Sequence, residues 1–228
     1  VEDDRHHLLD QAEVKVRISE GMGEELTIKE KPLERLLSTL TLFKELIDAY
    51  EVHEVYPIAT AAVRTAKNQK EILNKIEEAS GFSFEVISGK EEAKLDYLGV
   101  INSLHLKDCV IIDLGGASTE LILVQGREMK EAVSLSFGSV NLTENTDKKA
   151  EAKTMIEDAF SKVDFLEKAK GYPIVSLGGT IRTLAKMHRE DIDWPIYTIH
   201  GYEMKREDVL EKLKEIKSSK TEELKEIP

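Results

Sequence analysis

Cys109-Val110-Ile111-Ile112-Asp113-Leu114-Gly115-Gly116-Ala117-Ser118-Thr119-Glu120 is the stretch on which the fold turns. An apolar run of strand length delivers an aspartate to its own carboxyl end and is stopped by a glycine pair. Open α/β sheets place their ligands at that end of a strand. The glycines let the backbone turn sharply, so that its N–H groups can meet an anion, and the Ser118 and Thr119 hydroxyls can add donors. The same residues suit a tight β-hairpin whose glycines only relieve backbone strain. Local pattern leaves both readings open.

Working downstream, residues 120–125 and 132–137 flank Gly126-Arg127 and read as a β-hairpin. Residues 147–169 carry one long helical pattern with Met155, Ile156, Ala159, Phe160, Val163 and Leu166 inward. Pro173-Ile174-Val175-Ser176-Leu177 is another strand stopped by glycines, Gly178-Gly179-Thr180, and a helix through Met187 begins at once. Glycines before a helix N-terminus make an anion site, because the first amides are unpaired and the dipole favours negative charge. One such turn is often ligand-free, and two in one half of a chain say more than either. The tail from Met204 is charged and amphipathic and runs to Pro228 without a cap.

Working upstream, residues 13–18 alternate as a half-buried strand and end in the turn Glu20-Gly21-Met22-Gly23. Residues 32–50 are helical, with Pro32 in the first turn. Short strands are expected over 53–59 and 82–87, with Asn68 capping a helix through Ala79 between them and a further helix over 91–102. Strands alternating with helices indicate an α/β protein in two halves, set at 1–105 and 106–228.

Composition bounds the partners. The 228 residues carry 32 basic and 44 acidic side chains, a formal charge of −12, which argues against DNA spread over a basic face. It leaves room for an anion held in a local pocket. Hydrophobic residues at 41% against 33% charged describe a globular chain, not a disordered one. Cys109 has no second cysteine to pair with or to share a zinc ion. The acidic start Val1-Glu2-Asp3-Asp4-Arg5 is unlike a signal peptide, and no apolar run approaches the roughly 20 residues of a membrane span. A cytoplasmic setting with no membrane partner is expected, as is a homodimer.

Two named phosphate motifs fail. Neither glycine turn is followed by Gly-Lys-Ser/Thr, and neither has G-x-G-x-x-G spacing. Ser88-Gly89-Lys90-Glu91 suggests the end of a P-loop, but Glu91 stands where the magnesium-binding hydroxyl would be. Glu91 and Glu92 open a helix, where carboxylates commonly serve only the dipole, at about 0.3–1 kcal/mol each. Glu92 shares a helix face with Asp96, an unfavourable pair of acids that points to a cleft or a cation. Arg64 is a candidate anion contact, with a surface arginine as the plainer reading. The histidines lack metal-ligand spacing: His6-His7 lies near the end, and His200 reads as a turn residue.

Ala59-Thr60-Ala61-Ala62-Val63-Arg64-Thr65-Ala66-Lys67-Asn68, Val86-Ile87-Ser88-Gly89-Lys90-Glu91-Glu92-Ala93-Lys94-Leu95 and Ile111-Ile112-Asp113-Leu114-Gly115-Gly116-Ala117-Ser118-Thr119-Glu120-Leu121 together resemble the exopolyphosphatase/guanosine pentaphosphate phosphohydrolase family. Their order and spacing match, as do Gly178-Gly179-Thr180 and His200-Gly201-Tyr202. The resemblance covers nearly the whole chain. It implies the actin-like ATPase (ribonuclease H-like) fold, with two related α/β domains, and magnesium-dependent hydrolysis of a terminal phosphoanhydride. The substrate implied is inorganic polyphosphate, or guanosine pentaphosphate as the nearest alternative.

By the same resemblance Glu92 is the base, and Asp113 and Glu120 are associated with metal and water. Phosphate contacts fall on Arg64, on Gly115, Gly116, Ala117 and Ser118, and on Gly178, Gly179 and Thr180. The departures are specific. Ala117 replaces a glycine, Ala62 a small polar residue and Lys94 an arginine, and Asp96 stands where an apolar residue is usual. The match thins over 143–150. The family's opening strand and first phosphate loop are expected upstream of Val1, and a C-terminal continuation after Pro228. A non-hydrolytic phosphate sensor and a sugar or acetate kinase of the same superfamily are the competing classes. Glu92, Asp113 and Glu120 argue against the first, and the Ser-Gly-x-Glu-Glu-Ala motif against the second.

Overall fold

The computed structural model describes residues 8–145 and 149–219. The acidic start, His6-His7, Asp147 and the end at Pro228 lie outside the described residues. The chain divides into two compact units, Val1–Ser88 with Thr143–Asn145, and Gly89–Leu142 with Thr146–Pro228. The sequence-based boundary at 105/106 differs from this division by the length of one helix, 89–103, which packs on the sheet of the second unit.

In the first unit, α1 (Glu30–Ala49) packs against α3 (Gln69–Ser80), which follows the short α2 (Ala61–Thr65), with Leu33, Leu40, Ile72 and Ile76 buried. Asn68 precedes α3 without capping it. Its amide instead accepts from the Ile28 N–H and donates to the Ile28 carbonyl, both at 3.0 Å, strapping the incoming loop. Strands β1 (Ile58–Ala59) and β2 (Glu85–Val86) pair in parallel and are shorter than the apolar runs that contain them. Tyr56 in the expected strand is largely exposed. Residues 13–18 form no strand: Val16 N–H turns back onto the Val14 carbonyl and Arg17 takes a positive φ. Alternation specifies a face, but a strand also needs a neighbour for its backbone groups.

The second unit is built on a four-stranded sheet ordered β5-β4-β3-β6. Its strands are β3 (Cys109–Leu114), β4 (Thr119–Gln125), β5 (Glu128–Leu135) and β6 (Ile174–Leu177). The β3–β4 and β4–β5 pairs are antiparallel and β3–β6 is parallel. One face carries Cys109, Ile111, Ile122 and Val124, covered by Ala93, Val100 and Ile101 of α4 (Gly89–Ser103). The other carries Val110, Leu121 and Leu123, covered by Val163, Phe165 and Ala169. Covered on both faces and paired on both edges, β4 is buried from Thr119 to Val124, which explains its continuous apolar run.

The helix expected over 147–169 is broken. Its described part is α6 (Lys149–Ser161) and the short α7 (Phe165–Lys168), with α5 (Ser139–Asn145) preceding them. The break lets Val163 and Phe165 both reach the sheet, while Met155, expected inward, is 46% exposed. After β6 come α8 (Gly179–Asp191) and α9 (Arg206–Ser218). No helix among the described residues is long and apolar enough to cross a membrane.

One side chain fixes α4 on its sheet. Arg127, in the β4–β5 turn, donates Nη2 to the Ile101 carbonyl at 2.6 Å and Nη1 to the Leu104 carbonyl at 3.2 Å. These are carbonyls at the helix C-terminus, where a cation is favoured by the dipole and by unmet acceptors. The Tyr97 hydroxyl donates back to the Arg127 carbonyl at 2.9 Å. Arg127 holds φ at +66°, so glycine there relieves backbone strain. Arg127→Gly is nevertheless expected to destabilise the chain by about 1–3 kcal/mol, because charged donors leave carbonyls at the helix end, one of them part-buried. Urea unfolding measures it; a more stable variant would show that backbone strain outweighs the clamp.

Candidate active site

The antiparallel register sets Asp113 directly opposite Glu120, and Glu120 opposite Ser134. Residues opposite one another share a sheet face, so the two carboxylates stand on the face that carries Ile111 and Ile122. That face is the one α4 covers. Asp96 lies in the buried stripe of α4 that includes Ala93, Tyr97, Val100 and Ile101, and so meets the sheet where the apolar row gives way to acids. Carboxylate oxygens of Asp96, Asp113 and Glu120 lie within 4.8 Å of one another. Glu92, one helical turn earlier and partly buried, adds its charge to all three.

Each acid is held differently. Glu120 is 1% exposed, accepts from Ser134 Oγ at 2.7 Å and from Ser118 Oγ at 3.3 Å. Burial pushes its carboxyl up, the two hydroxyls pull it down, and Glu92 and Asp113 add to the rise. Burial also raises Asp113, with Glu92 adding to the effect and the Arg182 guanidinium opposing it. Asp96 has no such help. Burial first, then the charges of Asp113, Glu120 and Glu92, push it up to about 7, and its Oδ2 is buried with no hydrogen-bond partner among the described residues. Oxygen-only donors converging on one point, one of them unsatisfied, fit a hard divalent cation such as Mg2+ and not a soft one.

The two glycine turns close off the same end of the sheet. Residues 115–118 form the β3–β4 loop, and 178–180 lead from β6 into α8, beside β3. The 115–118 turn is thus a hairpin, as one of the two readings of its glycines had it, and it lies at the carboxyl end of β3. Its carbonyls are tied down: Ser139 N–H donates to Gly115, Val140 N–H to Gly116, and Asn141 Nδ2 to Ala117. The Gly116 and Ala117 amides have no hydrogen-bond acceptor among the described residues. Gly138 makes the bracing possible, since a Cβ there would sit 2.5 Å from the Gly116 carbonyl carbon. Ser118, expected at phosphate, turns its hydroxyl to Glu120. Gly178 takes φ +100° as the residue before α8, and a Cβ on it would lie 2.4 Å from the Leu114 carbonyl oxygen. Gly179 and Thr180 follow it, exposed, in the first turn of α8.

Of the residues singled out in the sequence, Glu92, Asp113, Glu120 and both glycine turns come together within the second unit. Arg64 belongs to the first unit, where its Nη1 donates to the Ile87 carbonyl at 2.9 Å. His200 sits exposed in a turn. Ser134, Arg182 and Gly138 were not singled out. Ser134 is legible only through the β4–β5 register, and Arg182 only through its place one turn after Gly178-Gly179. Asp96 had a signal, an acid inside an apolar helical stripe.

The model of the Ppx/GppA phosphatase family matches residues 1–228. The chain belongs to that family. Its members are phosphoanhydride hydrolases, and the resemblance drawn from the motifs holds at this level. A guanosine-5'-triphosphate,3'-diphosphate pyrophosphatase of Vibrio vulnificus is 36% identical over 132 residues, covering 58% of this chain and 27% of the relative. A bifunctional 3-dehydroquinate synthase/phosphatase of Fusobacterium nucleatum is 27% identical over 184 residues, covering 74% of this chain and 28% of that protein. The chain thus matches little more than a quarter of the length of these curated relatives. An exopolyphosphatase structure from Cytophaga hutchinsonii superposes with a TM-score of 0.90 at 24% identity, over 100% of this chain and 77% of that one. An Aquifex aeolicus family member gives 0.68 at 28% identity, over 91% and 70%. The actin-like ATPase fold implied by the motifs is therefore the fold of this Ppx/GppA chain.

Two outcomes follow from the packing and charge of this site. Gly178→Ala forces a Cβ into the Leu114 carbonyl at an unfavourable φ and is expected to cost about 1–3 kcal/mol or more. Gly179→Ala meets nothing within 4 Å and should be tolerated; equal melting temperatures for the two variants would contradict this packing. The second outcome concerns pH. Asp96 titrates near 3.8 when unfolded and about 7 when folded, so the folded state holds the extra proton between those values. Its contribution to stability is full below the unfolded value and lost as pH rises through the folded one. In metal-free buffer, Asp96→Asn should therefore lose less melting temperature than the parent chain between about pH 5 and pH 8. Parallel curves would remove this acid from the pH dependence.

Proposed function

We propose that this chain supplies the site of an exopolyphosphatase-type phosphohydrolase that releases terminal phosphate from inorganic polyphosphate. The observation that carries the reading is the gathering of Glu92, Asp113 and Glu120 beside two glycine turns at one end of one sheet. In this reading Glu92 holds the attacking water and accepts its proton, a role that needs a carboxylate near the reacting phosphorus and little else. The Gly116 and Ala117 amides, with the N-terminus of α8 at Gly179 and Thr180, bind peripheral phosphate oxygens. Asp113 and Glu120 hold Mg2+, with Ser118 and Ser134 fixing the orientation of Glu120. A bound Mg2+ neutralises charge developing on the phosphate oxygens. Without a cation between them, carboxylates and a polyanion repel. Arg64 enters as a phosphate contact on the strength of its sequence motif alone. The proposal extends to a cytoplasmic homodimer with no DNA or membrane partner.

The second reading is hydrolysis of guanosine pentaphosphate. It is favoured by the Vibrio vulnificus relative, a guanosine-5'-triphosphate,3'-diphosphate pyrophosphatase, which is more identical to this chain than the Fusobacterium protein over the stretch it matches. A long polyanion needs no base pocket, whereas a nucleotide does. Phosphate release from the two substrates, measured side by side on the same preparation, decides between them. Glu92→Gln should lower turnover on the preferred substrate by roughly 10²–10⁴-fold while leaving cation binding intact. Turnover unchanged in that variant would take Glu92 out of the mechanism.

A further inference from the structure

We propose that Asp96 is a third carboxylate ligand of the divalent cation, and that this site therefore takes up its cation before any phosphorylated substrate arrives. The inference rests on the reading that Asp113 and Glu120 hold a metal, and it adds a residue for which that reading has no role.

Position is the first ground. Asp96 occupies the sheet-facing stripe of α4, one turn from the buried apolar residues Ala93 and Val100. An acid placed there is drawn out of water by the same packing that builds the core, and burial of an unpaired carboxylate is costly. Its Oδ2 exposes less than 1 Å² and has no hydrogen-bond partner among the described residues. Glu120 is the instructive contrast: it is more deeply buried, but Ser118 and Ser134 each donate to one of its oxygens. The protein thus satisfies Glu120 and leaves an oxygen of its neighbour unsatisfied. That oxygen belongs to a carboxylate lying within 4.8 Å of those of Asp113 and Glu120, where only a cation could be welcome to all three.

Charge is the second ground. Mg2+ is ordinarily held by one or two carboxylates with substrate phosphates completing its shell, and it parts with water reluctantly. Asp113 and Glu120 alone would make such a substrate-dependent site. A third carboxylate raises the local negative charge by half again and gives the cation a third protein oxygen. The site then has the donor count to hold Mg2+ or Mn2+ with water in its remaining positions. The three donors are all oxygen, so zinc, which favours nitrogen and sulfur, gains little from them.

The test is Mn2+ binding in phosphate-free buffer, read from the electron paramagnetic resonance of the free ion, on the parent chain, Asp96→Asn, Asp96→Leu and Asp113→Asn. The parent chain should bind Mn2+ with no substrate present. Both Asp96 variants should bind it about tenfold more weakly or worse, a loss that even outer-shell partners of metal ligands produce. Their metal-free melting temperatures should hold or rise, since an unpartnered acid has been removed. Full affinity in Asp96→Asn alongside loss in Asp113→Asn would overturn the proposal and leave the two-carboxylate site standing. Binding by the parent chain only after tripolyphosphate is added would overturn it as well. Affinity indifferent to all three substitutions would sink the metal assignment itself. Lower metal-free stability with unchanged affinity would make Asp96 a structural residue and likewise defeat the proposal.

Discussion

The register of β3 against β4 is the constraint on which the site depends. Ile111 faces Ile122 across the ladder, and two residues on, Asp113 faces Glu120. Strand periodicity makes these one decision: a slip by one residue would send both the apolar pair and the acids to the opposite face. The acids cannot specify that register, because two carboxylates brought together repel. The apolar rows do so, with Ile111, Ile122 and Val124 buried under α4 and Val110, Leu121 and Leu123 under the helices of the other face. Each buried side chain of this size contributes about 1.5–3 kcal/mol, and several lie on each face. Hydrophobic packing thus holds the acids together against their own repulsion.

Helix α4 serves both the core and the site, and this explains why Asp96 and Glu92 are placed so firmly. Its C-terminal half is anchored by Val100, Ile101 and the Arg127 clamp on its last carbonyls. Its first turns project the acids over the end of the sheet. Because the helix is rigid and its far end is fixed, its packing carries Glu92 and Asp96 to the Asp113–Glu120 pair. The electrostatic cost falls unequally. Ser118 and Ser134 offset it at Glu120, and Arg182 at Asp113. Asp96 has the largest displacement, up to about 7, and the orphan oxygen.

Much of this was legible in the sequence where a signal was local. Both faces of β4 are covered, so its run was continuous; β3 ended in Asp113; the Gly126-Arg127 turn joined two strands of a hairpin; and the motif order pointed to the family. What failed was non-local. Residues 13–18 alternate well but have no partner strand among the described residues. Residues 147–169 have helical spacing throughout, yet Val163 and Phe165 both reach the sheet only because the helix breaks between them. Asp96 looked like half of an unfavourable helical pair, and its real neighbours come from β3 and β4. Ser134 has no distinguishing context except the residue it stands opposite.

The division of the chain sharpens what the −12 charge means. Glu92 and Asp96 were read as part of the first half, yet α4 packs on the second unit's sheet, and all four clustered acids belong to that unit. Their spacing then persists through any motion that leaves the unit intact, as the proposed in-line attack on a phosphate requires. Acidity spread over the surface would only repel a polyanion. Acidity concentrated at one sheet end, partly buried, braced by two serines and an arginine, and with one oxygen left without a hydrogen bond among the described residues, has instead the form of a demand for a cation. The same charge that argues against a nucleic-acid surface is, at this one place, gathered into a cluster whose mutual repulsion a cation would relieve.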